Sequence, residues 1–392
     1  GGVNLYHGDL LIAETPAIKA NLIYSRHGWN TFSFDHDNRM FWFKLDLETL
    51  SKQREAIERD HPDWSEEKIK NEALMLSNNV TEICNCLPAP LYYMRNDVTD
   101  EAWYYFRIAF PHDGDPLKNT FTAGQLTAPA EFKKRLLHIA PGALWTGTAG
   151  QMDRLLKNWT YGIKTVKTID YMGYAIEHKA YIYNQAAVID GRVVELNNED
   201  YFEHGKLSIK SLSRALKLDI ALESKDQADW FDKFAFCFGP KGIVALAFWM
   251  GSLFAEQIRD RFESWPFVEI VGEPGSGKST LLEFLWRLVG RNAYEGFDPM
   301  KGSFVGHMRT MAQVSNLPVV LIESDRDSGD DESKGRPKSM FDWDAMKSAY
   351  NGGTLRTTGV KRSGNDTNEP QLHRALVISQ NVPIQPTRPI TE

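Results

Sequence analysis

Gly272-Glu273-Pro274-Gly275-Ser276-Gly277-Lys278-Ser279 fits the pattern G-x-x-x-x-G-K-[ST]. Residues of these types at this spacing can hold a polyphosphate. Gly272, Gly275 and Gly277 carry no Cβ, so the loop backbone can wrap closely and aim its amide N–H groups at phosphate oxygens. A helix that begins at Gly277 adds the positive end of its dipole. Lys278 neutralises charge on the β- and γ-phosphates, and Ser279 offers its hydroxyl to Mg²⁺. With Thr280 these residues form the expected ATP-binding set.

Hydrolysis needs more than a cradle. Downstream, Leu317-Pro318-Val319-Val320-Leu321-Ile322-Glu323-Ser324-Asp325 is an apolar run ending in carboxylates. Such a strand end can support the Mg²⁺ shell and orient the attacking water. Glu323 is assigned to the metal shell and Asp325 as the second carboxylate or base; the reverse assignment fits the spacing as well. A second apolar run, Arg374–Ser379, leads into Gln380-Asn381. The Asn381 amide can both donate and accept, which suits contact with a γ-phosphate and a water. Thr354–Val360 and Leu372–Ser379 read as strands around a turn-rich linker. That linker projects Lys361 and Arg362, two adjacent cations suited to a phosphate backbone and carrying no base readout.

The order of these motifs resembles a superfamily 3 helicase, an AAA+ type ATPase of viruses and mobile elements. Met346 through Arg362 is similar to the family's intermediate motif, which leads into its DNA-contacting hairpin, and Ile378-Ser379-Gln380-Asn381 is similar to its third motif. The resemblance covers residues 265–392. It implies a hexameric ring that moves on single-stranded DNA and an arginine finger supplied by the neighbouring subunit. Arg388 is the candidate for that finger within this chain, and a residue beyond Glu392 is the other. Upstream, Trp145, Gly147, Gly173 and Tyr183-Asn184 look more loosely like the segment before the ATPase in phage and plasmid primase–helicases. No primase active-site motif occurs there. The resemblance therefore implies a primase domain or another replication protein as partner, and the cytoplasm of a bacterial host as location.

Elements must position these groups. Phe267–Val271 reads as a buried parallel strand, followed by a helix from Gly277 to Leu288 with Gly290 just past its end. Upstream of Trp265-Pro266, helices are expected at about 228–236 and 242–260. Asn21–Tyr24 and Met40–Phe43 read as short strands, and Leu47–Arg59 as a charged helix broken by His61-Pro62. A further helix through Leu76 has Asp63 and Ser65 as cap candidates, with Asp63-x-x-Glu66 fitting a capping box. Leu91–Pro111 reads as strands. Residues 129–139 and 149–159 read as helices with basic faces, Lys133, Lys134 and Arg135 in the first and Arg154 and Lys157 in the second. The Ile163–Leu196 stretch is β in texture, with a hairpin turn at Asp190-Gly191. Residues 206–224 are polar and mixed and read as a connector. The expected fold is an α/β P-loop NTPase domain, AAA+ like, at 225–392, with its C-terminus truncated. Mixed α+β regions at 1–115 and 116–224 precede it.

Composition is compatible with this picture. The chain has 392 residues, 42% hydrophobic and 25% charged, and a net charge of −7. A globally basic nucleic-acid coat protein is thereby excluded, but a local basic groove is not. Residues 333–388 hold nine basic and four acidic side chains, whereas Asp325–Glu332 holds five acids and one arginine and reads as a solvated loop. The three cysteines, Cys84, Cys86 and Cys237, are too few for a disulfide framework or a zinc site and read as reduced thiols of a reducing cytoplasm. The longest apolar stretch, Gly242–Ala255, is shorter than the ~20 residues a bilayer span requires and reads as a buried core helix, so no membrane partner is expected. An opening Gly-Gly and a close at Thr391-Glu392 read as the ends of a fragment. Two alternatives to a DNA motor stay open: an ATPase that remodels protein partners, and a nucleotide-gated scaffold with weak hydrolysis.

Overall fold

The computed structural model describes residues 2–112, 114–214, 216–220, 229–299, 301–302, 304–322 and 375–381. It is a mixed α/β structure with several sheets. Two compact units are present, one of residues 1–95 and 100–166, the other of residues 96–99 and 167–392.

The first unit begins with α1 (Gly2–Ile12) and α2 (Pro16–His27), then β1 (Thr31–His36) and β2 (Arg39–Lys44). Helices α3 (Leu47–Asp60) and α4 (Glu66–Leu76) follow, then β3 (Val80–Cys84), β4 (Leu87–Arg95), β5 (Ala102–Ala109) and β6 (Leu117–Phe121). Three helices complete it: α5 (Ala123–Thr127), α6 (Pro129–Ile139) and α7 (Ala149–Thr160). Asn21–Tyr24 is helical, not a strand. Thr15 accepts a hydrogen bond from Ile18 N–H and Pro16 starts α2, so the cap prevails over the local β-propensity. Ser65, not Asp63, caps α4, accepting from Lys68 N–H. Strand β2 pairs antiparallel with β1 and β3, and β5 with β4 and β6.

Several conspicuous residues of this unit are explained by packing. Phe106, Phe121, Phe132, Trp145 and the Cys84 and Cys86 thiols share one core under α6 and α7. A Cβ on Gly147 would lie 2.3 Å from the Trp145 ring, so the glycine makes room for the tryptophan. The basic faces of α6 and α7 are partly engaged. Arg135 donates to Thr120 O and Asn119 Oδ1, Lys134 pairs with Glu131, and the Arg154 guanidinium lies over the Trp42 ring.

In the second unit, β8 (Met172–Ala175), β9 (Ala180–Ile182), β10 (Ala186–Ile189) and β11 (Arg192–Glu195) follow β7 (Thr165–Ile169) as an antiparallel meander. Asp190 and Gly191, both at positive φ, make the turn between β10 and β11. The described part of 206–224, residues 206–214 and 216–220, is not a plain connector. After β12 (Phe202–His204), the segment Leu207–Ser211 is strand β13, parallel to β7, and Leu216 and Leu218 are buried. Asn184 Oδ1 accepts from Leu218 N–H, which seats that segment.

The helical part holds α8 (Phe231–Ser252) and α9 (Ala255–Phe262). Gly239 at φ 60° and ψ −162°, followed by Pro240, breaks α8 near the expected gap, and the helix ends at Ser252, earlier than the sequence suggests. Gly242–Ala255 is not wholly buried. Leu246, Phe248 and Trp249 face the core, while Val244 is 65% and Met250 48% exposed. The 22 residues of α8 are long and apolar enough to cross a membrane by length and composition alone, but the break at Gly239 and Pro240 divides them into two shorter helices.

The chain then enters β14 (Val268–Val271), α10 (Lys278–Leu288) and α11 (Phe304–Met311), followed by β15 (Val314–Ser315), β16 (Pro318–Ile322) and β17 (Ala375–Gln380). Strand β15 adds in parallel to β8, which joins the meander to the segment leading into β16. Asn316, between β15 and β16, is fully buried with φ +51°. Its Oδ1 accepts from Glu256 N–H at 2.9 Å and its Nδ2 donates to Gln257 Oε1 at 2.7 Å, capping the start of α9 from a distance in sequence. Gln257 in turn donates to Tyr181 Oη on β9. Asn316→Ala is expected to cost roughly 2–3 kcal/mol, because it strands a buried N–H and leaves alanine in a left-handed conformation. Urea unfolding should show a lower midpoint at unchanged slope. An unchanged midpoint would mean that water replaces the amide.

Candidate nucleotide site

Three parallel strands in the order β14-β17-β16 carry the site. The register places Ile270, Ser379 and Ile322 side by side. In open parallel sheets, ligands bind outside the carboxyl ends of the strands. All three strands run in that direction here.

Strand β14 delivers the glycine-rich loop. It is not buried as the apolar run suggested: exposure alternates along it, with Glu269 and Val271 exposed. The reason is its place at one end of the three-strand order. Gly275 and Gly277 adopt φ +79° and +90°, which favour glycine, and nothing lies within 4 Å of a Cβ built on either. Ser276 N–H donates to Glu273 O, closing the turn. Gly277 is the N-cap of α10 and makes no side-chain cap bond, so the first amides of the helix meet no cap side chain. The helix is held by Leu281, Leu282, Leu285 and Trp286, buried against Trp249 of α8 and against Val320 and Val377 of the sheet. Trp286 stands edge-on to Trp249 at a centroid distance of 4.8 Å. Just past α10, Gly290 has φ +84° and no room for a Cβ, which would meet Asp219 O at 2.6 Å.

Lys278 folds over the loop. Its Nζ donates to Gly272 O at 2.5 Å and to Glu273 O at 3.0 Å. Ser279 and Thr280 are exposed on the first turn of α10. These residues set one cation and two hydroxyls beside backbone amides at a helix N-terminus, a donor set that fits a polyphosphate and an accompanying Mg²⁺.

The neighbouring strand ends complete what is described. Ser379 and Gln380 are buried, and Asn381 is half-buried beyond them. Gln380 O accepts from Gly272 N–H at 3.4 Å, so the end of β17 meets the first residue of the loop. On the far side of β16, Phe297 pairs with Leu321. Glu323 follows Ile322 directly in the chain. Glu323, Asp325, Lys361, Arg362 and Arg388 lie outside the described residues. Glu269 on β14 escaped the sequence reading, and Gln380 on β17 entered it only as part of the motif around Asn381; their side chains are hydrogen bonded. Their signal was a polar residue within or at the end of an apolar run. Within the first unit, an open cavity of about 630 Å³ is lined by Arg39, Asn85, Phe110, His112 and Asp115 among others.

No sequence-family model and no curated protein matches the chain. Two solved structures share parts of its shape. One, described as the active helicase Cch of SCCmec type IV, is 11% identical with a TM-score of 0.45, over 78% of this chain and 52% of its own. The other, the apo A form of the NrS-1 C-terminal region, is 12% identical with a TM-score of 0.32, over 74% of this chain and 54% of its own. The chain thus spans about half the length of the structures it matches.

Proposed function

We propose that this chain is the ATP-driven motor of a DNA-unwinding replication protein, moving on single-stranded DNA as a homo-oligomeric ring. The observation that supports it most is the strand–loop–helix unit at 268–288, with its two left-handed glycines, its helix start lacking a side-chain cap and Lys278 over the loop. Loop amides and Lys278 bind and orient the polyphosphate. Mg²⁺, held through Ser279 and Glu323, offsets charge on the phosphates when bound. Asp325 takes up a proton from, or orients, the attacking water, and Asn381 holds that water from the end of β17. Lys361 and Arg362 grip the DNA backbone, and Arg388 or a residue beyond this chain reaches the neighbouring site. The setting proposed is a phage or mobile-element replication system in a bacterial cytoplasm, with a primase as partner.

The test is ATP turnover with and without single-stranded DNA. Mg²⁺-dependent hydrolysis stimulated by DNA is the expected result. Turnover indifferent to DNA would favour an ATPase acting on protein partners. Nucleotide binding without turnover would favour a gated scaffold.

Lys361→Ala combined with Arg362→Ala should uncouple turnover from DNA and leave nucleotide binding intact. Each lost phosphate contact lowers the slope of log affinity against log salt by roughly 0.7 on single strands, so the double variant should lose about 1.4. The loss should be alike for unrelated DNA sequences. A salt titration in the ATP-bound state measures it. An unchanged slope would remove these residues from the DNA path.

A further inference from the structure

Gln380 is a polar side chain with only 4% of its surface exposed, at the end of a strand that is otherwise apolar apart from Ser379. Its amide Nε2 donates to Glu269 Oε1 on the adjacent strand β14. The register explains how they meet. Glu269 lies opposite Ile378 and Val271 opposite Gln380, so Glu269 and Gln380 are diagonal neighbours on one face of the sheet. The other face of β14 carries Val268 and Ile270, which pack with the α10 core. Gln380 also accepts from Gly272 N–H through its backbone carbonyl. One residue is therefore attached to β14 at two points, before and at the start of the phosphate loop.

We propose that Glu269 and Gln380 form a positioning pair that holds Asn381 in register with the phosphate loop. This rests on the nucleotide-hydrolysis reading above. Asn381 is the residue immediately after Gln380, so any movement of Gln380 along β14 moves it too. Backbone ladder bonds set the register of β14 and β17, but the ladder ends at Val271 and Gln380, so beyond it the strand end that carries Asn381 depends on side-chain contacts. A hydrogen bond to a carboxylate is directional and stronger than a neutral one. It bridges two different strands, and so opposes a shift of one against the other. The sensitivity of chemistry to such a shift is steep: a misplacement of about 1 Å can cost roughly 10²-fold in rate. Neither residue touches the reacting phosphate in this role.

The experiment compares Glu269→Ala, Glu269→Gln and Gln380→Leu with the wild-type chain, measuring kcat, KM for ATP, affinity for a fluorescent ADP analogue and melting temperature. Glu269→Ala and Gln380→Leu should lower kcat roughly 10–100-fold. Affinity for the ADP analogue should stay within about twofold, because the loop and Lys278 remain. Glu269→Gln keeps an acceptor oxygen for the Gln380 amide and should recover most of kcat. If wild type hydrolyses ATP and Glu269→Ala matches it, the positioning role falls alone. The same follows if Glu269→Gln is as slow as Glu269→Ala, or if kcat, affinity and melting temperature fall together, since the pair would then be merely structural. If wild type does not hydrolyse ATP, the proposed function fails, and this inference with it.

Discussion

Lys278→Ala is expected to lower ATP turnover by roughly 10²–10³-fold, the usual cost of removing one preorganised donor from developing charge. Nucleotide affinity should fall as well, because no other cation lies in the loop sequence. The fold should survive. Lys278 Nζ binds two loop carbonyls, Gly272 O and Glu273 O. Bonds from a charged donor contribute about 1.5–3 kcal/mol each when buried and much less at a partly exposed loop. The melting temperature should therefore move by only a few degrees. Steady-state turnover with saturating DNA, paired with thermal unfolding, checks both halves. Retention of full activity would end the ATPase reading, whatever the loop looks like.

Gly173→Ala is expected to act first on stability, with a large loss at a position far in sequence from the glycine-rich loop. Gly173 on β8 has φ +108°, and a Cβ there would lie 1.7 Å from the carbonyl oxygen of Ser315. The obstacle is backbone, so no rotamer change relieves it. Gly173 is paired with Ser315 in the short parallel ladder between β8 and β15. Strain at the left-handed position and the clash together should cost roughly 3–5 kcal/mol. For a unit of this size that corresponds to a fall in melting temperature on the order of 10 °C. The consequence reaches the site through the chain. Ser315 is followed by Asn316, which caps α9, and then by β16, which carries Ile322 to Glu323. Turnover per folded molecule should drop too, because the start of β16 loses its anchor. A stable, fully active alanine variant would show that β8 and β15 are not locked together.

The two variants separate what was legible along the chain from what was not. The phosphate loop is contiguous. Its glycines, lysine and serine are brought together by covalent spacing, and β14 and α10 lie where the apolar run and the helical period placed them. Strands β16 and β17 were legible for the same reason, as short apolar runs with polar ends. Elsewhere one local signal outweighed another. Asn21–Tyr24 carries strand-like residues, yet the Thr15 cap and Pro16 start a helix that buries Ala20 in the β1–β2 core. Asp63 and Ser65 both looked like caps, and only Ser65 has its oxygen within reach of an orphan amide.

What the sequence determined by itself is a glycine-rich loop between a strand and a helix, and apolar strands with polar ends. Those are properties of near neighbours, set by backbone sterics and by the alternation of apolar and polar residues. Tertiary structure alone decided the strand order. It placed β17 between β14 and β16, so that Gln380 meets both Gly272 and Glu269. It also decided that Gly173, in the upstream meander, must lack a side chain because a strand more than a hundred residues later passes against it. Pairings of this kind depend on which apolar surfaces can be buried together and on which backbone groups must find partners there. That sum runs over the whole unit and is not written in any window of the chain.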